Sequence, residues 1–139
     1  MSGAVARAVA YVRVPESTRE PASSEAPRAQ RLAIACWAER ERVEITSWQT
    51  DEGVDGATPI AERPGLVAAY RALAEQGAGM LVAANAERFS HDELVGWLIE
   101  RAALMQGATL QTADGSRPVR PPVVAPEADA GWTRGAIAL

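Results

Sequence analysis

The chain has 139 residues, a mass of 14.7 kDa and a net charge of −4, so it holds one domain's worth of core and is not a generic basic nucleic-acid binder. Its single cysteine and single histidine exclude a disulfide framework and a histidine-rich metal centre, and we expect neither metal nor cofactor. No apolar run approaches the roughly 20 residues of a membrane span, so we expect a cytoplasmic protein without membrane contact.

Strands and helices are predicted in alternation over the first 115 residues. Short runs rich in β-branched and apolar residues indicate strands, whereas apolar residues spaced three and four apart indicate helices. In chain order we predict a strand at Ala8–Val14, a helix at 28–42, a strand at 43–48, a helix at 64–76, a strand at 80–84, a helix between Ser90 and Gly107 and a strand at 108–113.

Helical spacing also predicts which side chains share a face. In the first helix these are Leu32, Ala35 and Cys36, so we expect Cys36 to be a buried, inert thiol. The later helices carry the stripes Leu66, Ala69, Tyr70, Leu73 and Leu94, Trp97, Leu98, Arg101, Met105. The tryptophans expected in the core are Trp37, Trp48 and Trp97.

Cap residues predict where two of the helices begin and end. Pro64 suits the first turn of the second helix, and Gly77 suits its end. Ser90, followed three residues later by Glu93, forms a capping-box pattern at the start of the third helix.

The alternation of strands and helices predicts an α/β fold: a small three-layer domain with a mostly parallel sheet of four to five strands. We place this domain at residues 1–115 and a proline-rich tail at 116–139. Ligands of such sheets bind where the strands end at their carboxyl side. The segments that follow these strand ends are 15–27, 50–63, 85–91 and 114–126.

Three arginines flank these strand ends. Arg13 closes the first strand, Arg63 precedes the second helix and Arg88 follows the third strand. Guanidinium groups match phosphate oxygens and keep their charge, so their convergence predicts an anion site. The alternative is three separate, solvated arginines in a chain whose 14 basic residues are all arginine.

Four sequence blocks lie on this framework: YVRV at 11–14, DEGVDGATPIAERPGL at 51–66, AERFSHD at 86–92 and GATLQTADG at 107–115. In order and spacing they resemble the blocks of the serine recombinases, the resolvase/invertase family. The resemblance implies the catalytic-domain fold of that family. It also implies metal-free phosphoryl transfer, in which a serine hydroxyl attacks a DNA phosphodiester while arginines neutralise the charge of the transition state.

The resemblance maps the family's catalytic side chains onto Arg13, Arg63, Arg88 and Glu87, but the chain departs from the pattern at the nucleophile. Pro15 occupies the position of the reactive serine and has no hydroxyl, and Ser17, two residues further on, is the candidate substitute. His91 replaces a second arginine of the family block, and an imidazole cannot make a forked phosphate contact. Asp55 replaces a family serine and would repel a phosphate.

Three functions remain open for such a chain. The first is a recombinase-like domain of the DNA strand-exchange family that no longer cleaves DNA, and the second is an active recombinase fragment that uses Ser17. The third is a regulatory module that pairs with an intact recombinase. The expected partners are the DNA phosphate backbone, bound weakly, and either a second copy or another recombinase subunit. The dimerising helix of the family would at most begin at Trp132–Leu139.

Overall fold

Four parallel strands form one sheet, in the spatial order β2–β1–β3–β4, in the computed structural model, which describes residues 5–15 and 26–116. The strands are β1 (Ala6–Val14), β2 (Val43–Glu52), β3 (Met80–Ala83) and β4 (Thr109–Thr112). The helices are α1 (Pro27–Glu41), α2 (Pro64–Gln76), α3 (Ala86–Phe89) and α4 (Glu93–Met105), and a 3-10 turn covers Ile60–Glu62. The predicted α/β class with a parallel sheet is confirmed.

The central strand β1 divides the core into two layers because its side chains alternate between the faces of the sheet. Val9 and Tyr11 face the layer covered by α2 and α4, whereas Ala8, Ala10 and Val12 face α1. All five side chains are fully buried. The domain therefore has the three predicted layers, with β1 as the strand that both layers share.

Strand β2 is longer than the sequence predicts, and its additional residues pair with the end of β1. β2 continues to Glu52, four residues beyond the predicted end, because it pairs with β1 as far as Val14. The polar residues of that extension read as a loop in the sequence, and strand pairing overrides their low strand propensity. Helix α2 has the predicted bounds, with Pro64 in its first turn and Gly77 in the left-handed conformation at its end.

The predicted buried face of α1 is wrong. Its buried residues are Gln30, Ile34, Trp37 and Ala38, whereas Leu32 and Cys36 are exposed. Burying Ile34 and Trp37 removes more apolar surface from water than burying Ala35 and Cys36 would, so the helix turns its other side to the sheet. Cys36 is thus a surface thiol and not a core residue.

Helix α4 also buries the side opposite to the predicted stripe. Gly96, Ile99 and Ala103 face the core, since two small residues let the helix approach the sheet closely. The outward side carries a row of large apolar residues, here called the α4 stripe: Leu94, Trp97, Leu98, Leu104 and Met105. The guanidinium of Arg101 lies over the Trp97 ring, 5.7 Å from its centroid.

Two further local predictions fail. The cap of α4 is Asp92, which accepts a hydrogen bond from the Val95 N–H at 3.0 Å, while Ser90 bonds only the backbone of Asp92. Trp37 is buried as expected, but Trp48 is 40% exposed and Trp97 is 41% exposed. Within the described ranges, no helix is long and apolar enough to cross a membrane.

Candidate functional site

The order of the strands places a crevice at the carboxyl ends of β1 and β3. These two strands are neighbours, but the chain continues from β1 to one edge of the sheet, at β2, and from β3 to the other edge, at β4. Ligand sites of parallel sheets lie between two strands whose connections run to opposite sides in this way. Arg13 is the penultimate residue of β1, and Arg88 lies in α3, directly after β3. The structure brings both to this crevice.

Arg13 and Arg88 bind each other's backbone across the crevice. The Nε of Arg13 donates to the Arg88 carbonyl at 3.0 Å, and an Nη of Arg88 donates to the Arg13 carbonyl at 3.2 Å. The two Nη atoms of Arg13 donate to the carbonyls of Val54 and Glu87, at 2.7 and 2.6 Å. One guanidinium therefore ties the β2–α2 loop to α3.

Arg63 immediately precedes α2, and its side chain bonds to the same two segments as Arg13, the β2–α2 loop and α3. One Nη donates to the Phe89 carbonyl at 2.6 Å, and the other lies 2.9 Å from the Gly56 carbonyl and 3.5 Å from that of Asp55. Its Nε is buried and has no hydrogen-bond partner within residues 5–15 and 26–116. We call Arg13, Arg63 and Arg88 the arginine cluster.

The arginine cluster is a concentration of buried positive charge. The three residues are 2%, 0% and 3% exposed, although arginine is almost never buried without a partner. Burial and the neighbouring guanidinium groups of Arg88 and Arg63 lower the pKa of Arg13 to about 10. Arg13 is still charged at neutral pH, and its N–H groups are bonded to carbonyls.

A buried carboxylate holds the start of α2 beside the cluster. The oxygens of Asp51 accept hydrogen bonds from the Gly65 N–H at 2.6 Å, the Leu66 N–H at 3.0 Å and the Tyr11 hydroxyl at 2.8 Å. Burial, and then the hydrogen bond to Asp51, raise the pKa of Tyr11, so its hydroxyl stays protonated and donates. A carboxylate at a helix start also complements the helix dipole.

Gln30 fixes the backbone of Arg13 from the other layer. Its side-chain oxygen accepts from the Arg13 N–H at 3.2 Å, and its amide nitrogen donates to the Arg13 carbonyl at 2.9 Å. Sequence reasoning missed this residue because a glutamine among the arginines of α1 reads as solvated. The three bonds of Asp51 were missed as well, since that residue reads as one of several acids in a polar loop.

The other candidate residues lie at the rim of the arginine cluster or outside the described residues. Pro15 directly follows β1 and is half-buried. The Glu87 carboxylate is exposed, with one oxygen 3.7 Å from an Nη of Arg88. His91 lies between α3 and α4, its Nε2 3.4 Å from an oxygen of Asp55. Ser17 and the segment Trp132–Leu139 fall outside the described residues.

The comparison with known families decides the identity of this fold. The family model described as Resolvase, N terminal domain matches residues 8–119. The chain belongs to the resolvase family. The match spans β1 through β4 and includes all three residues of the arginine cluster.

Solved structures share the fold of this resolvase-family domain. The C-terminal catalytic domain of ISC1926 TnpA, an IS607-like serine recombinase, is 18% identical with a TM-score of 0.62, covering 77% of this chain and 70% of that one. The N-terminal catalytic domain of TP901-1 integrase is 17% identical, with a TM-score of 0.63 and coverage of 78% and 77%. A resolvase family site-specific recombinase from Streptococcus pneumoniae is 15% identical, with a TM-score of 0.64 and coverage of 96% and 85%. No curated protein matches the chain significantly.

Proposed function

We propose that this chain is a recombinase-type catalytic domain that has kept its phosphate-attracting arginine cluster but does not cleave DNA. The observation that supports the proposal is Pro15, which directly follows β1, two residues from Arg13, and which the family resemblance aligns with the reactive serine. Serine recombination forms a bond between a hydroxyl oxygen and phosphorus, and proline has no hydroxyl to supply it.

Two hydroxyl groups near the arginine cluster do not replace the missing serine. The Tyr11 hydroxyl donates to Asp51, and its raised pKa makes it a poor nucleophile. The Ser90 hydroxyl donates to the Asp92 carbonyl and accepts from the Asp92 N–H, both at 2.8 Å. Both hydroxyls are therefore committed within the fold.

The first prediction concerns the covalent intermediate. When the chain is incubated with supercoiled or nicked recombination-site DNA, we expect no phosphoserine-linked DNA in a mass spectrum, because the residue at the position of the nucleophile, Pro15, has no hydroxyl group. An intact serine recombinase with its own site serves as the positive control. A DNA adduct that disappears in Ser17→Ala would show instead that the chain is an active fragment. Pro15→Ser alone should restore little, since His91 cannot provide the fork of a second guanidinium.

The second prediction concerns affinity for DNA. An anion site of three arginines neutralises about three phosphates, so the logarithm of the binding constant should fall with the logarithm of salt concentration with a slope near −3. The net charge of −4 opposes the duplex at long range, and we expect a dissociation constant above about 10⁻⁵ M at physiological salt. Fluorescence anisotropy with a labelled duplex at several salt concentrations measures both. Sub-micromolar binding, or preference for one duplex sequence, would contradict the proposal.

A second candidate function, pairing with an intact recombinase or a second copy, is supported by the α4 stripe. Five large apolar residues on one outward helix face form the kind of contiguous patch that marks interaction sites. Sedimentation of the isolated chain distinguishes a homodimer from a monomer that associates only with another subunit.

A further inference from the structure

The β2–α2 loop lies directly on the arginine cluster. Three consecutive carbonyls, those of Val54, Asp55 and Gly56, lie 2.7, 3.5 and 2.9 Å from Nη atoms of Arg13 and Arg63. These N–H groups are the ones that a bound phosphate would use. The loop therefore occupies one Nη of Arg13 and one Nη of Arg63, while other N–H groups of these two residues donate to the carbonyls of 87–89.

The side chain of Asp55 adds a negative charge to this loop. One oxygen accepts a hydrogen bond from the Ala57 N–H at 2.6 Å and lies 3.4 Å from the Nε2 of His91. That hydrogen bond is the main cause that lowers the pKa of Asp55, and the guanidinium charges of Arg13 and Arg63 lower it further, so the carboxylate is ionised at neutral pH. The exposed carboxylate of Asp55 thus lies beside the arginine cluster, and it would repel a phosphate that approaches Arg13 and Arg63.

At Gly56 the loop lies close to the side chains of His91 and Arg13. A Cβ at this position would lie 2.5 Å from the Cδ2 of His91, 2.8 Å from its Nε2 and 3.0 Å from an Nη of Arg13. The imidazole of His91 and the guanidinium of Arg13 therefore close around the Gly56 backbone. A phosphate cannot enter between them unless the loop moves.

We propose that residues 54–56 form a self-bound cover, held by Asp55 and His91, that competes with phosphate for Arg13 and Arg63. The inference rests on the proposed anion-binding function and adds its regulation. A hydrogen bond from a guanidinium to a phosphate joins two opposite charges and is stronger than one from a guanidinium to a neutral carbonyl. A phosphate can therefore displace the cover, although the loop then loses its own bonds to the arginines. The charge of Asp55 opposes this displacement, because it repels the phosphate as the loop opens.

The test compares two variants that each remove one negative charge. Asp55→Asn keeps an oxygen for the Ala57 N–H and loses only the charge at the cover, whereas Glu62→Gln removes an exposed charge from the neighbouring 3-10 turn. We expect Asp55→Asn to bind a labelled duplex about two- to fivefold more tightly than Glu62→Gln at the same salt concentration.

The single histidine of the chain supplies a second readout. His91 gives the only imidazole signals in a proton spectrum, and those signals should move when inorganic phosphate is added, because the cover leaves the ring. Equal duplex affinities of Asp55→Asn and Glu62→Gln would overturn the proposed cover. Phosphate binding that leaves the His91 signals unchanged would overturn it as well. In either case the proposed anion site would stand. If neither the duplex nor phosphate binds the wild-type chain or Asp55→Asn, the anion site itself is refuted, and the cover with it.

Discussion

Asp51→Ala should lower the free energy of unfolding by about 3–5 kcal/mol, because removing one partner of a buried charged network leaves its other members unsatisfied. The Tyr11 hydroxyl and the N–H groups of Gly65 and Leu66 would all lose their acceptor where water cannot replace it. Among the described residues Asp51 is the only buried carboxylate, so the domain would keep its buried arginines without a buried negative charge.

Urea unfolding of the variant and of a matched control measures this effect. Asp92 is also an aspartate at the start of a helix, but it is exposed, and its side chain accepts a hydrogen bond from the Val95 N–H only, among the described residues. Asp92→Ala should therefore cost about 1 kcal/mol, as the loss of an ordinary cap does. Similar losses in the two variants would mean that Asp51 acts only as a cap and does not anchor the site.

Gly65→Ala should destabilise the domain by about 2–4 kcal/mol, because the added methyl group meets the Thr50 backbone and the Cγ of Asp51, a buried side chain held by three hydrogen bonds. Its Cβ would lie 2.6 Å from the Thr50 carbonyl oxygen and 2.8 Å from the Thr50 carbonyl carbon. The start of α2 would have to move away from β2, and the bonds of Asp51 to that helix start would lengthen.

Gly79→Ala is the matched control, since a Cβ there has no heavy atom within 4 Å. We expect its melting temperature to stay within a few degrees of the wild type, whereas that of Gly65→Ala should fall by roughly 10 °C or more, at about 4–8 °C per kcal/mol for a domain of this size. Equal melting temperatures would show that α2 adjusts to the methyl group without loss.

The sequence predicts the helices well where only one face is apolar. Helix α2 has a single stripe, and Leu66, Ala69 and Leu73 are buried as expected. Helix α1 offers two apolar sides, one with Leu32 and Cys36 and one with Ile34 and Trp37, and periodicity alone does not choose between them. The choice depends on which side fits the sheet, and that is decided by packing.

The candidate site, too, can be predicted from the sequence only in part. Chain order and family resemblance place Arg13, Arg63 and Arg88 at one edge of the sheet, and the structure brings them together there. That their N–H groups would bind backbone carbonyls could not be predicted, because it depends on which carbonyls lack strand or helix partners after β1 and β3. The reciprocal bonds of Gln30 depend on the same local backbone and leave no pattern in the sequence.

Because the side chains of the arginine cluster are bonded to backbone carbonyls, selection for a stable fold acts on these three residues. Arg13 and Arg88 join segments 75 positions apart, and Arg63 joins its own segment to one 26 positions away. Replacing any of the three would leave buried carbonyl groups without donors, so selection for a folded chain favours these arginines whether or not the chain cleaves DNA. The presence of the three arginines in this chain is therefore accounted for by folding alone and does not by itself report DNA cleavage.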